Sequence, residues 1–510
     1  MSGAVDTQTP ERIPEFKQVL GHPRPLWMLF MSEFWERFAF YGIRWAMVLY
    51  IVAQFHGGDT SGEKPASELY GAYLALVYAG AIFGGYVADK LIGFQRSILL
   101  GAVFMSTGLF LLALPSESMF KLGLATIIVG NGLFKPIIST MVGKLYAQGD
   151  ARRDAGFTIF YMGINIGALL APLVTQYLAK KVFGIEDMPA YKVVFIAAGV
   201  GMLLSLVWFW FGRRQLQGIG LPAEHQTGMR NIGLVLLFGA VIGIPMFYAL
   251  LTIDANLLQG ILMALFVIPA IMLVVEGVRE GKVARDKVIA MLVIFVFNVL
   301  FWMFFEQAGS SFNFLADRIV DRDIGMSWLF QTFAGTNDFP VSWFQSVNSV
   351  AIIALAPVLA WLWVKMGKNN PIIPRKFGLG LIFNGLAFLL LMVALSSMVD
   401  GNGKIPFWTL FMVYVIQSVG ELCLSPIGLS MTTKLAPSRL AGMAMGCWFL
   451  SIAIGNNMAG IFAGRVSGEG GMTVASAHAG YTFGFWALVG SGVLLFVVAP
   501  LIQKLMHGVK

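Results

Sequence analysis

The sequence predicts an all-α polytopic membrane protein with about fourteen transmembrane helices. The chain of 510 residues is 57% hydrophobic and only 12% charged, whereas a soluble domain is typically about 25% charged. Apolar runs of about 18 residues or more recur along nearly the whole chain, and each is long enough to cross a bilayer. The runs fall into groups of six, two and six, which predicts two six-helix bundles with a helix pair inserted between them.

This grouping divides the chain into five parts. They are a polar N-terminal tail at 1–25, a first bundle at 26–212, a linker with the inserted pair at 213–286, a second bundle at 287–504, and a C-terminal end at 505–510. The first span of each bundle is predicted as one continuous helix, over 26–55 and 287–318. Two six-helix halves are the signature of the major facilitator fold, whose site lies between the halves near the midplane. The inserted pair, at 231–278, is expected to lie outside the transport path because its spans are almost free of ionisable groups.

The distribution of basic residues predicts the orientation. With the N-terminus in the cytoplasm, about 23 of the 35 Lys and Arg residues fall in cytoplasmic tails and loops, and about 9 fall on the other side. The positive-inside rule therefore predicts that both termini are cytoplasmic and that the number of spans is even.

Composition also excludes several classes of protein. The net charge of +8 comes from residues in short loops, so we expect no nucleic-acid partner. Cys423 and Cys447 both lie in apolar spans and suggest neither a disulfide framework nor a metal site. The first 25 residues have no apolar core, so no cleavable signal peptide is expected. No HExxH, GxSxG or paired Cys or His cluster is present, so we expect no enzymatic activity and no catalytic residues.

The first span carries four charges that share one helix face. At about 100° per residue, Glu33, Glu36, Arg37 and Arg44 fall within roughly 100° of one another. A charge at the bilayer centre costs about 2.5–3.5 kcal/mol on insertion scales, so these groups must pair or line a wet cavity. A cluster that only staples helices together is the alternative to a functional site.

Two polar residues stand out in later spans of the first bundle. Lys135 lies mid-span just before Pro136, where a proline bends the helix and frees a backbone carbonyl. A lysine there can hold an anion as a point charge. Asn165 lies among small and apolar residues, and either helix packing or ligand binding fits it.

The second bundle supplies the opposite charge. Glu306 lies one helical turn after Trp302, inside the long span at 287–318, and Glu421 precedes Pro426 in another span. Asn348 and Trp448 are weaker candidates, for which packing is at least as good an explanation. A cavity between the bundles would thus be positive on one wall and negative on the other, which suits a zwitterionic ligand. Buried carboxylates of this kind can change protonation near neutral pH, as proton coupling requires.

The loop after the second span carries a further motif. Residues 84–96 are similar to the major facilitator loop between helices 2 and 3, with glycines that allow close helix approach. Asp89 is expected either to latch a closed gate by accepting from a helix N-terminus or to be an ordinary turn charge.

At these residues the chain resembles the proton-dependent oligopeptide transporter family, in its bacterial fourteen-helix type. The shared stretches run in family order over about 26–505. They are residues 33–44, 130–136, 157–169, 302–307 and 420–426. One departure is Phe40, where many members have tyrosine; the lost hydroxyl bears on substrate range.

The resemblance implies a role for each site residue. Arg44 and Lys135 would face a peptide carboxylate, whereas Glu421, Asn165 and Asn348 would face its amine. Glu33, Glu36 and Arg37 would couple protons to binding, and Glu306 would pair with Arg44 until it is protonated. The remaining residues, implied as linings of the substrate site, are Tyr41, Tyr78, Trp302, Ser425 and Trp448.

The resemblance thus implies a proton-coupled symporter of di- and tripeptides in the bacterial inner membrane. Protons are the coupling ion, and no other cofactor, metal or obligate protein partner is expected. A carrier of a plain anion such as nitrate is one alternative, although such an anion needs no partner like Glu421. A non-transporting sensor on a transporter fold is another.

Overall fold

The structure, a computed structural model, describes residues 13–147, 150, 152–185, 189–222 and 228–509. The predicted tail at 1–25, the linker segment at 213–286 and the end at 505–510 lie partly outside these residues. Within them, 13 helices are long and apolar enough to cross a membrane, and a bent helix pair makes a fourteenth span. The structure therefore has the predicted all-α architecture of six, two and six spans.

The first bundle contains six spans, the first of which is broken. Its helices are α1 (Arg24–Arg44), α2 (Ala46–Phe55), α3 (Glu63–Val87), α4 (Phe94–Leu112), α5 (Glu117–Lys144), α6 (Arg153–Gln176) and α7 (Tyr191–Gly212). A short antiparallel pair, β1 (Gln18–Val19) and β2 (His22–Pro23), precedes α1.

The inserted pair and the second bundle follow. The pair consists of α8 (Met229–Phe238), α9 (Ile244–Thr252) and α10 (Ala255–Glu280), with α8 and α9 forming one span around a π-helical turn. The second bundle consists of α11 (Lys282–Phe305), α12 (Ser311–Arg318), α13 (Ser327–Phe333), α14 (Trp343–Met366), α15 (Ile373–Ser397), α16 (Phe407–Leu435), α17 (Ala441–Ser467) and α18 (Val474–Leu505). A parallel pair, β3 (Val320–Asp321) and β4 (Ile405–Pro406), ties α12 to α16.

The first span is not the single helix predicted over 26–55. α1 and α2 meet at Trp45 with a 44° bend. The carbonyl of Trp45 accepts a hydrogen bond from Asn313 Nδ2 of the second bundle at 3.2 Å, and a side chain that enters the helical ladder is a known cause of kinks. The prediction was wrong because the group that bends the helix lies 268 residues away in sequence.

The span predicted over 287–318 is also wrong as one helix. α11 ends at Phe305, and α12 is a separate short helix from Ser311. Glu306, predicted to lie mid-span, is the residue at which α11 ends, and its N–H still donates to the carbonyl of Trp302 at 3.1 Å. The acid therefore lies at a helix end, where its side chain can reach across to the first bundle.

Polar contacts join the two bundles toward one end of the molecule. We call the end where both described chain termini lie the terminal face and the other end the opposite face. Several polar contacts between the bundles lie in the half toward the opposite face. At its outer edge, buried Glu63 of α3 pairs with Arg318 of α12 at 2.8 Å and accepts from the N–H of Met472 at 2.7 Å. Further contacts at this end join Thr60 to Gly470, Lys64 to Glu469, Ser342 to Gln176 and Ser346 to Leu169.

Glycines allow helix backbones to approach closely at two crossings. A Cβ added at Gly71 of α3 would lie 2.6 Å from the Cα of Gly460 of α17, which joins the bundles toward the opposite face. A Cβ added at Gly84 of α3 would clash with the carbonyl of Gly132 of α5, within the first bundle. Small residues at such crossings give membrane helices their van der Waals contact.

The inserted pair lies outside both bundles. α9 packs on α5 and α3, whereas α10 packs on α17 and α11. In each of its two spans, only 17% of the central apolar stretch is buried inside the protein. The pair therefore straddles the bundles with most of its surface directed away from them.

We expect adjacent glycines of α3 to respond differently to the same substitution. Gly84→Ala should lower the free energy of unfolding by about 1–3 kcal/mol, because the added methyl group overpacks the α3–α5 crossing. Gly85→Ala is the matched control, since its Cβ would meet nothing within 4 Å. Thermal unfolding of both variants in detergent measures the difference. Equal stabilities would contradict the close packing of Gly84 against Gly132.

Candidate functional site

The charge cluster of α1 is buried and internally paired. Glu33, Glu36 and Arg37 are each at most 4% exposed. Arg37 Nε lies 3.2 Å from Glu33 Oε1, and Arg37 Nη2 donates to Glu36 Oε1 at 2.6 Å. Arg37 Nε also contacts Glu36 Oε2, and Asn131 Nδ2 of α5 donates to Glu36 Oε1 at 3.3 Å.

This cluster contains one more negative charge than positive charge. Glu33 and Glu36 share the single guanidinium of Arg37, and Glu33 Oε2 has no hydrogen-bond partner among the described residues. Because a buried polar atom without a partner is costly, this oxygen is suited to taking up a proton. Glu33 is thus the better-placed proton acceptor of the two carboxylates.

Arg44 joins the two bundles near the middle of the molecule. Its Nη2 lies 2.5 Å from Glu306 Oε2, and its Nε donates to the hydroxyl of Tyr70 at 3.0 Å. The ion pair that the family resemblance implied between Arg44 and Glu306 is therefore present. In this conformation the charge of Arg44 is therefore held by an acid of the other bundle.

Lys135 is the site cation of the first bundle that lacks an ion pair. Its Nζ lies 4.5 Å from the ring centroid of Tyr78, and no described carboxylate comes within 4.0 Å of it. A cation on an aromatic face keeps most of its capacity to bind an anion, because the ring contributes only about 0.5–2 kcal/mol.

Glu421 is the corresponding anion of the second bundle. Its Oε2 accepts from Asn348 Nδ2 at 3.1 Å, and the same amide donates to Ser418 Oγ at 2.8 Å. No described Lys, Arg or His nitrogen lies within 4.0 Å of the carboxylate. Asn348 therefore positions Glu421 without neutralising it.

Three tyrosines lie within electrostatic range of these charges. Tyr78, whose ring contacts the ammonium group of Lys135, lies within electrostatic range of Arg44, Glu306 and Glu421. Tyr41 lies within range of Arg44, Glu421 and Tyr78, and Arg44 sits 5.7 Å from its ring centroid. Tyr161 of α6 lies within range of Glu421 and Tyr41.

The two tryptophans implied as pocket residues differ in placement. Trp302 is half-buried, and its Nε1 donates to Asn298 Oδ1 at 3.1 Å. Trp448 is only 3% exposed and packs inside the second bundle against Phe295 and Phe377. Its role as a lining residue of the substrate site therefore stays a prediction. The ring fills the space beside Gly428, where any Cβ would clash with it.

The remaining predicted residues lie as follows. Asn165 is buried and donates to the carbonyl of Tyr161 on its own helix at 2.9 Å, so in this conformation its amide contributes to local helix structure. Ser425 Oγ is buried without a hydrogen-bond partner among the described residues. Asp89 is exposed at the terminal face, in the π-helical turn that follows α3.

Several residues of the site were not singled out from the sequence. Asn131 carried a usable signal, since it precedes Lys135 by four residues and shares its helix face. Tyr70, Tyr161 and Ser418 carried none, because single Tyr and Ser residues are ordinary in membrane helices. The site as a whole presents one unpaired cation and one unpaired carboxylate from different bundles, with tyrosines between them.

Comparison with known proteins identifies the family to which this arrangement belongs. The family model for PTR2, described as the POT family, matches residues 95–469, which is more than half of the chain. The chain belongs to the POT family. Its membership confirms the resemblance read from the ordered motifs, and it makes the chain a multi-pass membrane transporter.

Curated relatives match over nearly the full length. "Uncharacterized transporter YclF" of Bacillus subtilis is 35% identical, with 97% of each chain covered. "Peptide transporter YePEPT" of Yersinia enterocolitica is 33% identical, with 98% of each covered. "Di-/tripeptide transporter" of Lactococcus lactis subsp. cremoris is 32% identical, with 97% of this chain and 98% of the relative covered.

Solved structures of the same family share the fold. A mutant of peptide transporter POT in complex with alafosfalin is 36% identical, with a TM-score of 0.81 over 96% of this chain and 97% of that one. A POT family transporter in complex with 5-aminolevulinic acid is 30% identical, with a TM-score of 0.78 over 96% and 98%. The predicted major facilitator fold of two bundles is thereby confirmed.

Removing either partner of the Arg44–Glu306 pair should destabilise the protein. Arg44→Gln leaves a largely buried carboxylate without its cation, and breaking a buried pair in this way costs about 3–5 kcal/mol. The double variant Arg44→Gln/Glu306→Gln should be more stable than Arg44→Gln alone, because no lone charge remains. Thermal unfolding of the single and double variants measures the coupling. Additive losses would contradict a direct interaction between the two side chains.

Proposed function

We propose that this chain is a proton-coupled symporter that imports di- and tripeptides across the bacterial inner membrane by alternating access. The observation that carries the proposal is the pair of charges without a direct ion-pair partner among the described residues, Lys135 in one bundle and Glu421 in the other. Membership of the POT family and relatives named as di- and tripeptide transporters support it.

A peptide main chain is complementary to these two charges. Its carboxylate pairs with Lys135 and its amine with Glu421, so each buried charge gains the partner that it lacks. Since every short peptide has both ends, such a site holds many side chains while fixing the backbone. A plain anion would leave Glu421 uncompensated, which disfavours the alternative of an anion carrier.

The terminal face is assigned to the cytoplasm, because the positive-inside rule places both termini there. The polar contacts that tie the bundles among the described residues then close the outer half of the transporter. This conformation is therefore inward-facing, with substrate leaving toward the terminal face. Asp89, at that face, is assigned to the contacts that form when the inner half closes.

Two sites couple protons to this movement. Protonation of Glu33 relieves the excess negative charge around Arg37 and changes the hold of α1 on α5 through Glu36 and Asn131. Protonation of Glu306 releases Arg44, which is then free to join Lys135 at the peptide carboxylate. Each step biases one orientation of the bundles, and a few kcal/mol of differential interaction is enough.

The other predicted residues complete the site. Asn348 orients Glu421, and Asn165 and Ser425 offer polar groups near the same space when the bundles move. Tyr41, Tyr78 and Trp302 contact peptide side chains. Protons are the only coupling species in this scheme, and no metal, nucleic acid or obligate protein partner takes part.

Uptake of a labelled dipeptide into proteoliposomes tests the proposal directly. We expect accumulation above the external concentration with an inward proton gradient, and only equilibration without one. Liposomes without protein provide the background. Equal uptake with and without the gradient would contradict proton coupling, and no uptake of any dipeptide or tripeptide would contradict the substrate class.

Recognition of the peptide amine and recognition of the peptide carboxylate should be lost in different variants. Glu421→Gln should remove most uptake of peptides with a free amine, because the amine then faces no charge. An N-acetylated peptide should be transported poorly by the wild type and lose little more in Glu421→Gln. Lys135→Ala should likewise remove most uptake of peptides with a free carboxylate. A peptide with an amidated C-terminus should be transported poorly by the wild type and lose little more in Lys135→Ala.

Competition against a labelled dipeptide measures these losses for each pair of peptide and variant. Lys144→Ala, in the last turn of α5, is the matched control for loss of a lysine. If the losses from acetylation and from Glu421→Gln add, Glu421 does not contact the amine.

The α1 cluster should be required for coupling and not for binding. Glu33→Gln and Glu36→Gln should abolish proton-driven accumulation while leaving counterflow, in which labelled peptide exchanges down its own gradient. Counterflow in the variants should also lose its dependence on pH, since the group that titrates has been removed.

Expression and thermal stability of these variants separate coupling from misfolding. A cluster that serves only to staple helices together would lose accumulation and counterflow alike, together with stability. If both glutamine variants still accumulate peptide with a proton gradient, coupling lies elsewhere, with Glu306 and Arg44 as the remaining pair.

A further inference from the structure

The first span of each bundle is interrupted, and the two interruptions contact each other across the bundles. α1 and α2 meet at Trp45, whereas α11 and α12 are separated by residues 306–310. Arg44, the last residue of α1, pairs with Glu306 at 2.5 Å, and the next residue, Trp45, accepts at its carbonyl from Asn313 of α12 at 3.2 Å. Neighbouring residues of the first bundle are thus held by an ion pair and by a hydrogen bond from the second.

The amide of Asn313 is held in one orientation by α14. Its Oδ1 accepts from Gln345 Nε2 at 3.2 Å, and the same Nε2 donates to the carbonyl of Ala308 at 3.1 Å. Both side chains are buried, with Asn313 only 1% exposed. Because its oxygen is occupied by a donor, the amide directs Nδ2 at the carbonyl of Trp45. The direction of this hydrogen bond is therefore fixed from within the second bundle.

The interruption between α11 and α12 is bound to the rest of the second bundle by further side-chain hydrogen bonds. Gln307 Nε2 donates to the carbonyl of Ala459 of α17 at 3.2 Å. Gln307 Oε1 accepts from Ser311 Oγ at 2.7 Å, and that hydroxyl accepts from Tyr481 of α18 at 3.1 Å. The carboxylate and the amide on either side of this segment are therefore placed by one framework.

Trp45 is fixed in a similar way within the first bundle. Its indole Nε1 donates to Thr175 Oγ1 of α6 at 3.0 Å, and its ring packs against Tyr191 of α7 with 5.9 Å between the centroids. Trp45 is only 2% exposed. The hydrogen bond from Asn313 to Trp45 therefore joins the framework of one bundle to that of the other.

The two contacts respond differently to protons. The proposed coupling step releases Arg44 by protonating Glu306, whereas an amide and a peptide carbonyl do not titrate in the physiological range. The hydrogen bond from Asn313 to Trp45 therefore remains available when the ion pair is broken. Since Trp45 follows Arg44 directly in the chain, this bond fixes where the guanidinium lies relative to the carboxylate.

We propose that Asn313 is a positioning residue of the coupling step: it holds the end of α1 in register so that Arg44 and Glu306 meet. This role rests on the proposed movement of the bundles and not on the substrate. Loss of the amide should open the outer half more often for two reasons. The hydrogen bond itself is lost, and the ion pair that it aligns becomes weaker. A residue that only adds one more contact would show the first effect without the second.

Maleimide labelling of a cysteine in the outer half measures how often that half opens. Ser342 of α14 is buried, and its hydroxyl donates to Gln176 of α6 at 3.1 Å, so the thiol in Ser342→Cys reacts only after the bundles separate there. The native Cys423 and Cys447, both buried within the second bundle, react only on unfolding. Mass spectrometry of the labelled full chain in detergent gives the rate at each position, and the measurement requires neither a peptide nor a proton gradient.

The increase in labelling rate should depend on the ion pair. Asn313→Leu should raise the Ser342→Cys rate by about twenty-five-fold, of which about fivefold comes from the lost hydrogen bond and about fivefold from the misaligned ion pair. In Arg44→Gln/Glu306→Gln, which has no ion pair to align, the same substitution should raise the rate by only about fivefold.

Asn384→Leu is the matched control. The Oδ1 of Asn384 also accepts from a glutamine, Gln417, at 2.8 Å, but its Nδ2 donates to a carbonyl of its own bundle, that of Phe301, at 3.4 Å. Asn384 is buried like Asn313. Its substitution should therefore leave the Ser342→Cys rate unchanged in both backgrounds.

The labelling rates decide between these possibilities. A rate unchanged by Asn313→Leu would overturn the positioning role, and so would equal increases with and without the ion pair. An equal effect of Asn384→Leu would also overturn it, because loss of any buried amide would then open the outer half. Should Cys423 and Cys447 react in Asn313→Leu, Asn313→Ala removes the same donor without comparable bulk and must meet the same expectations. If the wild type takes up no peptide while the rates are as expected, the positioning role stands and the proposed substrate is wrong.

Discussion

The pairing of Arg44 with Glu306 is the interaction on which the rest of the structure depends. A charge within the membrane must be compensated, and here the compensation for a charge of the first bundle comes from the second. Tyr70 completes the coordination of the guanidinium from α3. Each bundle therefore relies on the other, and separation of the bundles at this depth is possible only if both charges find new partners or one of them is neutralised.

The contacts between the bundles show where separation is permitted. Toward the opposite face, the bundles combine a buried ion pair at Glu63 with the close backbone approach of Gly71 and Gly460. Toward the terminal face, Phe83 and Tyr86 of α3 are about 65% exposed and line a cavity against the inserted span, beside Leu234 and Phe238. α3 therefore packs against the second bundle at one end and borders the inserted span at the other.

The sequence was informative wherever a physical requirement acts over a short distance along the chain. Spans follow from apolar length, and the cluster of Glu33, Glu36 and Arg37 follows from helical spacing. The unpredicted features depend on residues far apart in sequence. The bend at Trp45 requires Asn313, the burial of Trp448 requires the space beside Gly428, and the role of Tyr70 requires the position of Arg44. Glu306 was found as a charge, but its place at a helix end could not be read from an apolar run that continues to α12.

The inserted pair has a mechanical consequence that follows from where its two spans attach. α9 packs on the first bundle and α10 on the second, and they meet at Ile253, an extended residue just before Asp254 caps α10. Any rocking of the bundles must then change the angle between α9 and α10, with Ile253 as the natural pivot. Each helix of the pair is held by a different bundle, and the two helices are joined through Ile253. The angle between α9 and α10 is therefore tied to the relative orientation of the two bundles.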